Sequence, residues 1–223
     1  MSAGVNVSTI ALRTCPLFQG LPDEALARVA QVASMRCFPR EQAVVREGES
    51  CDYVYFVLTG HLKVVVSNED GREVILSLLE QGELFGEMSM FGDQPRSASV
   101  VAVTSADLMM IAKGDFRLLM EEHFELAWRL MCNLADRLRA ADRKIENLAL
   151  LDVYGRVARL LLDMAEDVHG ERRVKRKVSK QDIARMIDAS REMVSRVMKE
   201  LGQRGLIEES SQGILLHEGL QEL

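Results

Sequence analysis

Gly82-Glu-Leu-Phe-Gly-Glu-Met-Ser-Met-Phe-Gly-Asp-Gln-Pro-Arg-Ser-Ala-Ser-Val100 is the stretch on which the reading of the chain turns. Residues 86–89 read as the opening of a short helical turn whose first N–H groups have no partner within the turn. Gly92, Pro95, Arg96 and Ser97 then bring the chain back beside it toward a strand. Free N–H groups, one guanidinium and one hydroxyl are the donors that suit a phosphodiester. Glu87 would repel a bare phosphate. A phosphate that carries a ribose removes the conflict, because a carboxylate held slightly aside accepts hydrogen bonds from a sugar hydroxyl.

Outward from this stretch, residues 42–111 form short β-rich runs at 43–45, 53–58, 62–66, 73–79, 97–103 and 108–111. Turn signals at Gly48, Gly60, Asn68-Glu-Asp-Gly71, Gly82 and Gly92 separate them. Many short strands at this spacing predict a β-barrel or jelly roll. Upstream, residues 8–35 carry Leu26, Val29, Ala30 and Ala33 at helical spacing, with Pro22-Asp-Glu24 as a helix start, and predict packing helices ahead of the sheet.

Phe85-Gly-Glu87, followed after a short loop by Arg96-Ser-Ala98, resembles the phosphate-binding cassette of cyclic-nucleotide-binding domains. Tyr53-Val-Tyr-Phe-Val-Leu-Thr-Gly60 is similar to the strand that precedes it in that family's eight-stranded roll. The resemblance implies that Glu87 holds the ribose 2′-OH and that Arg96 and Ser97 hold the cyclic phosphate, with Gly86 and Glu87 on the other side; Met88 belongs to the expected ligand-binding set.

The chain has 223 residues, enough for one medium domain and a small one, and 48% of them are hydrophobic, enough to fill both cores. No long apolar run follows the N-terminus and no stretch approaches the ~20 apolar residues of a membrane span, so the expectation is a cytoplasmic protein without a membrane partner. Cys15, Cys37, Cys51 and Cys132 lie far apart with no Cys-x-x-Cys pair, and no histidines share ligand spacing; neither a disulfide framework nor a metal is expected. The net charge of −6 hides a gradient. Arg172, Arg173, Lys175, Arg176, Lys177, Lys180, Arg185, Arg191, Arg196, Lys199 and Arg204 outnumber the acids of 171–206, a local basic domain suited to a phosphate backbone.

From Gly114-Asp115, with Asp115 as the expected N-cap, a helical pattern runs without Gly or Pro to Gly155. Ala127, Met131, Leu134, Leu138, Ala141, Ile145 and Leu148 alternate spacings of four and three, the apolar seam of a coiled coil, and predict a parallel homodimer. Arg143-Lys-Ile-Glu-Asn-Leu-Ala-Leu-Leu-Asp-Val153 resembles the hinge of the cyclic-AMP receptor (Crp/Fnr) family of bacterial transcription regulators. In the best-known member the dimer helix offers Thr and Ser hydroxyls to adenine; the hinge alignment puts Ala141 and Asp142 at those places. Ala offers no hydrogen bond, and Asp142 accepts only, which suits guanine's two donors better than adenine's one. Asp142 is equally an e position opposite Arg137 at g, the pairing of an interhelical salt bridge, so the base stays open.

Asp152 is the expected N-cap of a new amphipathic helix. Ser179-Lys-Gln-Asp182 starts another, Asp188-Ala-Ser190 makes a turn, and a second helix runs from Arg191 to Leu201: a helix-turn-helix. Residues 206–208 and 214–216 around Ser211-Gln-Gly213 predict a β-hairpin, hence a winged helix. Arg191, Glu192, Ser195, Arg196 and Lys199 share an exposed arc of the second helix. Arg gives two bonds to guanine and Glu accepts from cytosine, so the arc is a G·C-reading face. Ser190-Arg-Glu-Met-Val-Ser-Arg-Val197 is similar to the family's recognition helix at both Arg residues and the Glu, and the expected DNA-binding set adds Ser179, Lys180, Gln181 and Ser190.

The expectation is therefore an α+β chain: a β-roll domain at 1–114, a dimerisation helix and hinge at 115–151, and a winged helix-turn-helix domain at 152–223. The resemblance implies a homodimeric regulator, not an enzyme, gated by a cyclic nucleotide. Cyclic AMP is the first guess and cyclic GMP or cyclic di-GMP the rival. Its partners would be palindromic DNA with TGTGA-type half-sites and RNA polymerase. Other readings are a regulatory subunit of a cyclic-nucleotide-controlled enzyme, and iron–sulfur or haem sensing on the same fold; the missing N-terminal cysteine cluster disfavours the iron–sulfur form.

Overall fold

The computed structural model describes residues 8–91, 94–168, 170–175, 178–210 and 213–222. They divide into two units, Met1–Asp136 and Arg137–Leu223. In the first, α1 (Thr9–Arg13), a 3-10 turn (Pro16–Phe18) and α2 (Asp23–Val32) precede the sheets. Pro22 fixes the entry to α2, Asp23 and Glu24 favour its positive end, and Ala25, Leu26 and Val29 bury one face.

Eight strands follow: β1 (Ala33–Phe38), β2 (Ala43–Val45), β3 (Tyr53–Thr59), β4 (Leu62–Ser67), β5 (Glu73–Leu79), β6 (Leu84–Phe85), β7 (Ser99–Ala102) and β8 (Ala106–Ala112). They make two antiparallel sheets, ordered β1-β8-β3-β6 and β2-β7-β4-β5, the expected β-roll. The two-residue side-chain period of β3 explains why it is apolar throughout. Val54, Phe56 and Leu58 enter the core shared with the helices. Tyr55 and Val57 enter the core between the sheets with Val45, Leu62, Leu79, Phe85, Val100 and Leu108.

Three local expectations change. The helical reading to Met35 fails at Ala33, already extended as the C-cap of α2 and paired with Ile111 as the start of β1. Strand β8 runs directly into α3 (Lys113–Glu122), so Ala112 is the N-cap and Asp115 lies inside the first turn, where its charge still favours the helix dipole. The long pattern is interrupted at His123 (φ −130°, ψ 88°) between α3 and α4 (Phe124–Leu150), with no Gly or Pro to mark it.

On α4, Leu126 and Leu130 are buried in the first unit's core and Leu134 packs against it. Met131, Leu138, Ile145 and Leu148, all seam positions, are exposed.

The second unit contains α5 (Val153–Asp163), β9 (Glu166–Val168), β10 (Glu171–Val174), α6 (Lys180–Ile187), α7 (Arg191–Gln203), β11 (Ile207–Ser210), β12 (Gly213–Leu216) and a 3-10 turn (Glu218–Glu222). The expected caps form: Asp152 accepts from the Gly155 N–H at 2.9 Å, Ser179 from Asp182 at 3.1 Å and Ser190 from Met193 at 3.1 Å. Val194, Met198 and Leu201 line the buried face of α7 with Ile183, Ile187 and Val157. The expected hairpin is β11–β12, its Ser211-Gln212 turn lying outside the described residues, and it joins β10 and β9 in one sheet. The sequence shows neither strand, because Glu166-Asp-Val168 and Glu171-Arg-Arg-Val174 are mostly charged.

Candidate functional site

The cassette is built from β6, a 3-10 turn at Met88–Met90 and the segment leading into β7. Gly86 takes φ +83°, and a Cβ there would collide with the Arg96 guanidinium; both facts reserve the position for glycine. Glu87 is fully buried and Arg96 nearly so, while Met88 is exposed. Arg96 donates from Nη1 to the Gly86 carbonyl at 2.8 Å and from Nη2 to the Tyr53 carbonyl at 2.7 Å. Its backbone is pinned on both sides, N–H to the Glu49 carbonyl and carbonyl from the Gly48 N–H, each at 2.9 Å. The structure thus brings Gly86, Glu87 and Arg96 together, with Ser97 exposed beside them. Gly92 lies outside the described residues.

Among the described residues no carboxylate forms an ion pair with Arg96. Its Nε is buried without a hydrogen-bond partner. A buried cation matched only by neutral carbonyls is expensive, on the order of several kcal/mol, until a countercharge arrives. The Tyr55 ring, 5.8 Å from the guanidinium, supplies part of the compensation. Burial pushes the Tyr55 phenol up, against the Arg96 charge that lowers it, so the ring stays neutral and does not supply that countercharge. An anion with several acceptor oxygens fits this donor set, and a ribosyl phosphate fits the adjoining Glu87. Sequence reasoning missed the Tyr53 carbonyl and the Tyr55 ring, although the period of β3 places both tyrosines on one face.

Ala141 and Asp142 lie on α4 in the other unit, both exposed. In that unit α7 presents Arg191, Glu192, Ser195, Arg196 and Lys199 to solvent. The charges divide by location. Arg173 pairs with Glu171 at 2.9 Å, Lys175 with Glu166 at 3.0 Å and Lys180 with Glu209 at 3.5 Å. Arg191, Arg196 and Lys199 form no ion pair among the described residues. The Glu192 carboxyl is held below the usual range by its own backbone N–H, then by the Ser190 hydroxyl and the Arg191 and Arg196 charges, so it is an ionised acceptor at neutral pH. Ser179 and Ser190 are occupied as caps, and Gln181 is exposed at the start of α6. Arg176 and Lys177 lie outside the described residues.

No group of metal-ligating side chains occurs among the described residues, and none of their helices is long and apolar enough to cross a membrane.

Comparison with known proteins matches both halves. The cyclic nucleotide-binding domain model covers residues 35–123 and the Crp-like helix-turn-helix domain model residues 155–223. The cAMP-activated global transcriptional regulator Vfr of Pseudomonas aeruginosa is 36% identical over 77% of this chain and 84% of its own. The cAMP-activated global transcriptional regulator CRP of Escherichia coli is 33% identical over 81% and 88%. The structure of the c-di-GMP responsive global regulator CLP of Xanthomonas campestris matches with a TM-score of 0.71 and 27% identity, over 88% of this chain and 99% of that one. With both domain models in order and full-length relatives at this identity, the chain belongs to the Crp family of cyclic-nucleotide-binding, DNA-binding transcription regulators.

Proposed function

We propose that the protein is a homodimeric regulator in which a cyclic nucleotide, held by Gly86, Glu87, Met88, Arg96 and Ser97 with Ala141 and Asp142 at the base, controls DNA binding by α7. The buried Arg96, hydrogen-bonded to two neutral carbonyls and with Nε unsatisfied among the described residues, is the observation that carries the reading. The exposed seam of α4 supports a second copy as its partner, because four large apolar side chains on one stripe favour burial. Ligand then biases how the two α4 helices pair and how far apart the two copies of α7 stand, near ~34 Å for half-sites one helical turn apart. Arg191 and Arg196 read guanine and Glu192 cytosine in a TGTGA-type palindrome; Ser179, Lys180, Gln181, Ser190, Ser195 and Lys199 serve the backbone and flanking bases. The domains are 1–114, 115–151 and 152–223, the compartment is the cytoplasm, and RNA polymerase is the protein partner.

Cyclic AMP is the first ligand by likeness to Vfr and CRP. Cyclic di-GMP is the rival, favoured by Asp142 and by likeness to the CLP regulator. Calorimetric titration with cyclic AMP, cyclic GMP and cyclic di-GMP, on wild type and Arg96→Leu, tests the site. One nucleotide should bind wild type and lose at least ~10-fold in affinity on Arg96→Leu, the ~1.5–3 kcal/mol of a charged hydrogen bond. Equal affinity in both proteins would remove Arg96 from the site.

A further inference from the structure

The first turn of α5 carries two side chains that reach the C-terminal ends of α6 and α7. Arg156 donates from Nη1 to the carbonyl of Ile187 at 2.8 Å. Ile187 closes α6, just where Asp188 (φ 53°) turns the chain toward α7. Tyr154 accepts a hydrogen bond from Nη1 of Arg204 at 2.7 Å and lays its ring 5.6 Å from the same guanidinium. Arg204 is the C-cap of α7.

Packing alone does not account for these contacts. Val157, Ala158 and Leu161 already bury the apolar face of α5. Arg156 keeps Nε buried without a hydrogen-bond partner, a poor exchange of hydration for one neutral carbonyl. What the arrangement does secure is direction: one turn of one helix fixes the C-terminal ends of α6 and α7 at once. We propose that Tyr154 and Arg156 are positioning residues, a clamp that makes α5, α6 and α7 move as one body, so that a rotation begun before Val153 reaches α7 undiminished. The proposal rests on α7 being the DNA-reading helix and a cyclic nucleotide the effector.

The test is fluorescence anisotropy of the full chain on a TGTGA-type palindromic duplex, without nucleotide and with saturating cyclic AMP, cyclic GMP or cyclic di-GMP. The ratio of the two Kd values is the ligand gain. Arg156→Met keeps the stem volume and removes the donor; Tyr154→Phe keeps the ring and removes the acceptor. The gain should fall about 2- to 30-fold in Arg156→Met, the range expected for residues that carry coupling. It should fall less in Tyr154→Phe, recover partly in Arg156→Lys, and leave calorimetric nucleotide affinity unchanged. A wild-type gain in the variants, with only a lower melting temperature, overturns the clamp and makes these ordinary stabilising contacts. Should Arg156→Met fail to fold, Tyr154→Phe and Arg156→Lys decide by the same ratio. A wild type without gain for any of the three nucleotides overturns the cyclic-nucleotide gating itself, before any variant is compared, and the clamp falls with it.

Discussion

At Gly86 a single hydrogen atom separates a working cassette from a blocked one. A methyl at this position meets the Arg96 guanidinium and must also adopt a left-handed backbone, which costs about 1–2 kcal/mol on its own. Gly86→Ala is therefore expected to lower the melting temperature by about 2–8 °C in a chain of this size. It should also weaken nucleotide binding, because Arg96 is pushed off its carbonyls; thermal unfolding and calorimetry on one sample check both effects. Cys15 gives a second residue-level prediction. Its thiol is buried and pushed up to about 11, burial outweighing the Thr14 hydrogen bond. The folded state therefore holds its proton longer than the unfolded chain, so this contribution to stability is intact below pH 9.0 and is lost as pH rises toward about 11. In native protein at pH 8, iodoacetamide should label the exposed Cys37 and Cys132 and leave Cys15 untouched until denaturant is added.

Among the elements, α4 carries the strongest unpartnered apolar signal, with Leu138 and Ile145 about two-thirds exposed (64% and 65%). Leu138→Glu puts a charge at the centre of the proposed seam without touching either core. Sedimentation should show the wild type as a dimer and the variant shifted toward monomer, with the variant's melting temperature independent of concentration; a variant that stays dimeric would move the interface elsewhere. The exposed apolar stripe of Met131, Leu138, Ile145 and Leu148 was legible because its spacing is local, as were the three caps, each set by one side chain and an N–H three residues on. The cassette was legible for the same reason, its Gly, Glu and Arg falling within one short stretch. What the sequence hid depends on distant partners. Ala33 belongs to β1 only because residues 106–111 lie alongside it. Strands β9 and β10 show too few apolar residues to stand out from their charges; β10 is drawn in by β12, and β9 by β10. Nor does composition reveal which cations are already spoken for: Arg173 and Lys175 form ion pairs in the folded unit, whereas among the described residues Arg191 and Arg196 form none within salt-bridge distance.

For the whole molecule, the proposed function divides the work between a buried cation in one unit, assigned to a nucleotide phosphate, and exposed cations on α7 in the other, assigned to DNA. Coupling them needs only ~1–3 kcal/mol, about 5- to 150-fold in affinity. The direct measurement is the anisotropy titration of the wild-type chain on a palindromic duplex, with and without each cyclic nucleotide at fixed salt, since phosphate contacts make the Kd salt-dependent. The account predicts that one nucleotide shifts the Kd for the palindrome at least about 5-fold and that Arg96→Leu abolishes the shift. A Kd that is the same with cyclic AMP, cyclic GMP, cyclic di-GMP and no nucleotide would contradict it.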